Sequence, residues 1–87
     1  MNPNAKYPFY KEDFVSLFGE SPDLTRLSKK HRYIVRKFYG LPNKKPISPY
    51  NMCNIFQCSP EILDSILERA ISKIPFNIDK KPKYTDT

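Results

Sequence analysis

The sequence predicts an all-α fold, a small domain of three to five short helices containing a helix-turn-helix, and three observations carry that prediction. The stretch from Ser59 to Ile74 opens with a capping Ser, a first-turn Pro and a first-turn Glu, the residues that satisfy and pre-set a helix N-terminus. Its apolar positions 63, 66, 67, 70, 71 and 74 fall on one side of a helical period. Ser48-Pro49 repeats the same start signal, and Gly19 and Gly40, the only glycines of the 87-residue chain, close two further apolar runs.

Taken in order, residues 1–8 carry Asn and two Pro and read as an extended, flexible lead-in to a single helical domain over 9–75. Phe9 to Phe18 reads as a first helix, with Phe14, Leu17 and Phe18 as its apolar side and Gly19 as its stop. Ser21-Pro22-Asp23 is a second start signal, after which Leu27, Ile34, Val35 and Phe38 recur at helical spacing up to Gly40. Leu41 to Pro46 is a loop, and Ser48-Pro49 starts a short helix through Phe56. Gln57-Cys58-Ser59 is the turn of a helix-turn-helix over 48–74, whose last helix runs to Pro75. Residues 76–87, with Lys80, Lys81, Lys83 and Pro82, have the composition of a basic flexible tail. The core is expected from the stripe of the last helix, with Met52, Ile55 and Phe56 against it and Ile34, Val35 and Phe38 completing the cluster.

Six Phe and six Tyr help so short a chain build that core. No apolar run is long enough to cross a bilayer and no signal peptide is visible, so the expected location is the cytoplasm. Cys53 and Cys58 are therefore read as reduced thiols in packing positions. With a single His they cannot furnish the four ligands of a structural zinc site, and neither a metal nor a cofactor is expected. His31 has no Cys or carboxylate close by in its basic run, and the chain lacks a glycine-rich phosphate loop, which argues against an enzyme and a small-molecule substrate. The carboxylate pairs Glu12–Asp13 and Glu61–Asp64 fall in helix first turns, where the macrodipole accounts for them.

Charge is distributed unevenly. From Leu24 to Pro60 the basic residues Arg26, Lys29, Lys30, Arg32, Arg36, Lys37, Lys44 and Lys45 meet no Asp or Glu, whereas the rest of the chain holds seven basic and nine acidic residues. Such a block fits a polyanion or an acidic protein surface, with a solvated basic helix face as the plainer reading.

The register of residues 27–74 resembles region 4 of the bacterial sigma-70 family, which binds the −35 promoter element and the flap tip of RNA polymerase. Residues 27–41, ending Tyr39-Gly40-Leu41, resemble the family's L-P-x-R-E-x-x-V-L-x-x-R-Y-G-L. Pro46-Ile47-Ser48 is similar to its P-L-T, Met52 and Ile55-Phe56 fit the next helix, and Glu61, Ile66, Arg69-Ala70-Ile71 and Lys73-Ile74 fit R-E-R-V-R-Q-I-E-x-x-A-L-x-K-L. Where the family has Arg and Gln after the capping residue, this chain has Pro60, Ile62, Asp64 and Ser65, so the helix that should enter the major groove is net negative.

Two expectations follow. In one, a noncatalytic transcription factor contacts DNA phosphates through Arg32, Arg36, Lys37, Lys44 and Lys45, with Ser59, Glu61, Ser65 and Arg69 toward the groove and shape read more than bases. In the other, the scaffold is a protein-interaction module, an inhibitor or mimic of the kind a phage could encode, that engages RNA polymerase or another partner through Phe9, Tyr10, Tyr50 and Ile62. No membrane partner is expected in either.

Overall fold

Four helices, α1 (Lys11–Phe18), α2 (Lys29–Tyr39), α3 (Pro49–Phe56) and α4 (Pro60–Ile71), account for the regular structure of the computed structural model, which describes residues 7–76. No strand occurs among the described residues, and no helix there is long and apolar enough to cross a membrane.

Three of the four helix starts are set by a serine cap. Ser28, Ser48 and Ser59 accept hydrogen bonds from the backbone N–H of His31, Asn51 and Ile62, and Pro49 and Pro60 follow two of these caps with a backbone already fixed for helix. α1 starts at Tyr10 without a side-chain cap, so it depends on packing to hold its eight residues. Ser21-Pro22-Asp23 does not start α2. Asp23 instead accepts from the N–H and hydroxyl of Thr25, at 3.0 and 2.7 Å, and closes a local turn. At its other end α4 stops at Ile71 rather than continuing to Pro75. Residues 72–74 tighten into bonds from Lys73 N–H to the Ala70 carbonyl and from Ile74 N–H to the Ile71 carbonyl.

α2, α3 and α4 pack on one another, with Ile34, Val35, Phe38, Met52, Leu63, Leu67, Ala70 and Ile71 buried between them. Emptying one of the fully buried positions, Leu67→Ala for example, removes apolar contacts worth about 2–5 kcal/mol. α1 joins through aromatic rings: Phe14 stacks on Tyr39 at 4.1 Å and lies 4.8 Å from Phe18, which in turn stacks on Phe76. Leu17 and Ile55, expected in the core, are exposed, because each points away from the helix stripe its neighbours use. Phe56 and Ile66 are half-buried against the core.

The end of the expected lead-in belongs to the core. Tyr7 is buried, its ring 6.2 Å from that of Phe38, and its hydroxyl donates to the Asp64 carboxylate at 2.5 Å, while the Tyr39 hydroxyl donates to the Pro8 carbonyl. Tyr7 thus bridges the last turn of α2 and the early part of α4. The rest of the lead-in, and Lys80, Lys81 and Lys83 of the tail, lie outside the described residues.

Candidate nucleic-acid interface

The basic residues are sorted by the way α2 ends. Gly40 takes the left-handed conformation (φ 66°), and the N–H groups of Gly40 and Leu41 both return to the Arg36 carbonyl. A Cβ at Gly40 would lie 2.3 Å from the Lys44 carbonyl oxygen and 2.5 Å from the Lys45 carbonyl carbon, so only glycine lets the following loop come this close. The loop folds back along α2, with Lys44 N–H on the Gly40 carbonyl at 2.7 Å and Ile47 N–H on the Lys37 carbonyl at 3.1 Å.

Between helix and loop lies a groove of about 290 Å³ lined by Tyr33, Arg36, Lys37, Lys44 and Lys45 over a floor of Gly40, Leu41 and Ile47. Tyr33, Arg36 and Lys37 share one face of α2 through their i, i+3, i+4 spacing. The Lys37 ammonium stands 5.4 Å over the Tyr33 ring, and that ring meets Phe56 of α3 edge-on at 5.7 Å. No carboxylate lines the groove among the described residues. The loop is also held from the N-terminal part of the chain: Lys11 of α1 donates to the carbonyls of Gly40 (3.0 Å) and Lys44 (2.8 Å), and Glu20 accepts from Asn43 N–H at 3.0 Å while pairing with Lys11. Lys11 and Glu20 thus brace the loop while lying outside the lining of the groove.

Four of the five expected phosphate contacts, Arg36, Lys37, Lys44 and Lys45, therefore share one site. Arg32 is half-buried and lies outside the lining. The α4 set is elsewhere: Glu61, Ile62, Ser65 and Arg69 lie on the outward face of that helix and are exposed. The hydroxyl of Ser59 is engaged by its own cap, accepting from Ile62 N–H at 3.3 Å. Asp64, which occupies one of the positions where the family resemblance puts a groove residue, is turned inward onto Tyr7 and is only 4 % exposed. Its charge is thereby taken off the outward face of α4.

Among the expected partner contacts, Phe9 is no free anchor: its ring packs edge-on to Phe38 and Tyr10 and is half-buried. Tyr10, Tyr50 and Ile62 are exposed, Tyr50 most of all at 75 %. Tyr50 borders an apolar hollow of about 370 Å³ with Pro49, Cys53, Asn54 and Pro60. Cys53 and Cys58 are both free and half-buried. The N–H of Cys58 returns to the Cys53 carbonyl past the left-handed Gln57, the arrangement that brings these two side chains together at a helix end. Burial, and then the neighbouring Cys58, push the Cys53 thiol above its ordinary range, which fits a packing role. No group of His, Cys, Asp and Glu suited to a metal occurs among the described residues.

Sequence reasoning missed Tyr33, Lys11 and Glu20. Tyr33 had a signal, three and four residues before Arg36 and Lys37 on one helix face. Lys11 and Glu20 had none, since they act across 23 to 33 residues of chain. Neither a family model nor a curated protein nor a solved structure matches the chain.

Proposed function

We propose that this is a noncatalytic DNA-binding domain of the transcription apparatus, similar to sigma region 4, that holds duplex DNA mainly by its phosphates. The observation that carries the reading is the α2–loop groove, where Arg36, Lys37, Lys44 and Lys45 converge without a lining carboxylate. Four like charges repel one another in the free protein, and a polyanion relieves that repulsion while releasing its own counterions. In this reading α3, the turn and α4 act as a helix-turn-helix whose outward face, with Glu61, Ile62, Ser65 and Arg69, adds position rather than base discrimination.

The test is binding to a duplex across a salt series. Affinity should fall with a log–log slope of about −3 to −4 if all four cations engage phosphate, and Arg36→Gln with Lys44→Gln should make it shallower by about two. Absence of binding at low salt would sink the proposal.

A second reading is favoured by the exposed Tyr50 and the apolar hollow beside it. There the domain docks on RNA polymerase through Tyr50 and Ile62, as an inhibitor or mimic. Its measure is co-migration with purified polymerase, which Tyr50→Ser with Ile62→Ser should abolish; a complex unaffected by that pair removes the reading.

A further inference from the structure

The α2–loop groove holds more than a phosphate needs. Arg36, Lys44 and Lys45 are exposed cations, which is all that a row of phosphates requires of a surface. The groove adds an apolar floor, with Leu41 buried and Ile47 half-buried against the core, and an aromatic ring. Tyr33 is 48 % exposed, and of the exposed aromatic side chains among the described residues it is the one that lines this groove. Phe56 of α3 supports the ring edge-on at 5.7 Å, while the Lys37 ammonium stands 5.4 Å from the ring centre over its π face. Lys37 also lines the groove, so the face it covers opens to a ligand when that flexible side chain swings aside. Paired DNA cannot use such a face, because its bases are stacked on one another and present only their edges. An unpaired base has a free π face and stacks on aromatic side chains whatever its identity. The volume of about 290 Å³ is at the small end of ligand pockets, which suits one base and its sugar.

We propose that the groove takes one unpaired nucleotide of a DNA strand, with its base on the Tyr33 ring and its flanking phosphates on Arg36, Lys44 and Lys45. Lys37 leaves the ring for a phosphate as the base arrives. One cation–π contact is thereby exchanged for a stack and a charge-assisted hydrogen bond, and no covalent bond changes. The domain then holds separated strands by base and phosphate together, and the paired DNA beside them by phosphate alone. The inference rests on the nucleic-acid reading of the groove and adds to it the state of the bases that the groove accepts.

The test compares labelled ligands of equal length at one low salt concentration by fluorescence anisotropy: oligothymidylate, the same strand built of abasic residues, and the duplex of oligothymidylate with oligodeoxyadenylate. The abasic strand keeps the phosphates and loses the bases. Oligothymidylate should bind about five- to a hundredfold tighter than the abasic strand, the range spanned by stacking one base on an aromatic side chain. Tyr33→Leu should close that gap while leaving duplex affinity within about twofold, and Tyr33→Phe should preserve it, since the ring remains. Equal affinity for the two strands, with binding still dependent on Arg36 and Lys44, overturns the inference and leaves the phosphate reading standing. A Tyr33→Leu loss shared equally by duplex and single strand also overturns it, because the ring then serves only to hold the groove together. Strand binding that depends on the bases and on Tyr33, without duplex binding, keeps the inference and overturns the duplex reading. Failure of every ligand to bind removes both. If Tyr33→Leu does not fold, the wild-type comparison of the two strands decides by itself.

Discussion

The loop after α2 and the outward face of α4 are both exposed polar surfaces of one small domain, yet they are built differently. The loop is tied at five points, by Lys11 to two carbonyls, by Glu20 to Asn43, and by its own N–H groups to the Gly40 and Lys37 carbonyls, and it carries Lys44 and Lys45. The α4 face carries a cap at Ser59 and then the exposed side chains of Glu61, Ile62, Ser65 and Arg69. A pre-organised surface loses little freedom when it binds, and a charged one attracts a polyanion from a distance. Here both properties belong to the loop, so the order of the helices along the chain does not by itself single out the surface best prepared to bind.

The largest expected effect breaks the loop and spares α4. Gly40→Ala forces a Cβ onto the Lys44 carbonyl in a left-handed conformation, and chemical denaturation should show a loss of roughly 2–4 kcal/mol. A change below ~0.5 kcal/mol would mean that the loop is not held against α2 in solution. Next in size is the tie that keeps α4 less negative. Tyr7→Phe removes the hydroxyl from Asp64 and should cost about 1–2 kcal/mol.

The same two phenols set an alkaline limit. Burial raises the Tyr7 hydroxyl, with the Asp64 hydrogen bond adding to it, and burial alone raises Tyr39. An acid that ionises less readily when folded contributes stability that is complete below the ordinary phenol range and is lost as pH rises. Stability should therefore fall above about pH 10, by up to ~1.4 kcal/mol per pH unit for each phenol. In Tyr7→Phe the slope should be halved; an unchanged slope would place the limit elsewhere. The smallest effect belongs to α3 and α4: Tyr50→Ser with Ile62→Ser should leave stability within about 0.5 kcal/mol and duplex affinity within about twofold. A tenfold loss of DNA affinity in that variant would reverse the comparison.

What the sequence made legible follows the same division. Ser48-Pro49 and Ser59-Pro60 stated the starts of α3 and α4 because capping is settled within four residues. The stripe of α4 was readable because helical period alone decides it: Leu63, Leu67, Ala70 and Ile71 are buried, Ile66 is half-buried, and Ile74, just past the helix, is buried too. Asp23 misled because the same carboxylate chemistry that caps a helix also closes a turn, and Thr25 supplied two donors to it. Asp64 was read as outward because its partner, Tyr7, is 57 residues away. The clustering of Arg36, Lys37, Lys44 and Lys45 was half legible: their charge was plain, but the reversal that makes them one site hangs on the space denied to a side chain at Gly40.

Lys11 ties the groove to a distant part of the chain. It reaches 29 and 33 residues ahead in the chain, and closing a segment of that length costs about 3 kcal/mol of chain entropy before either hydrogen bond is made. The loop's local bonds to the Gly40 and Lys37 carbonyls need only α2, whereas its ties to Lys11 exist only with α1 in place. The fully braced cationic surface is thus a property of the complete fold. A polyanion that requires it complete recognises the finished fold and ignores its precursors, so at a hundred times its dissociation constant it would add about 2.7 kcal/mol to the free energy of unfolding.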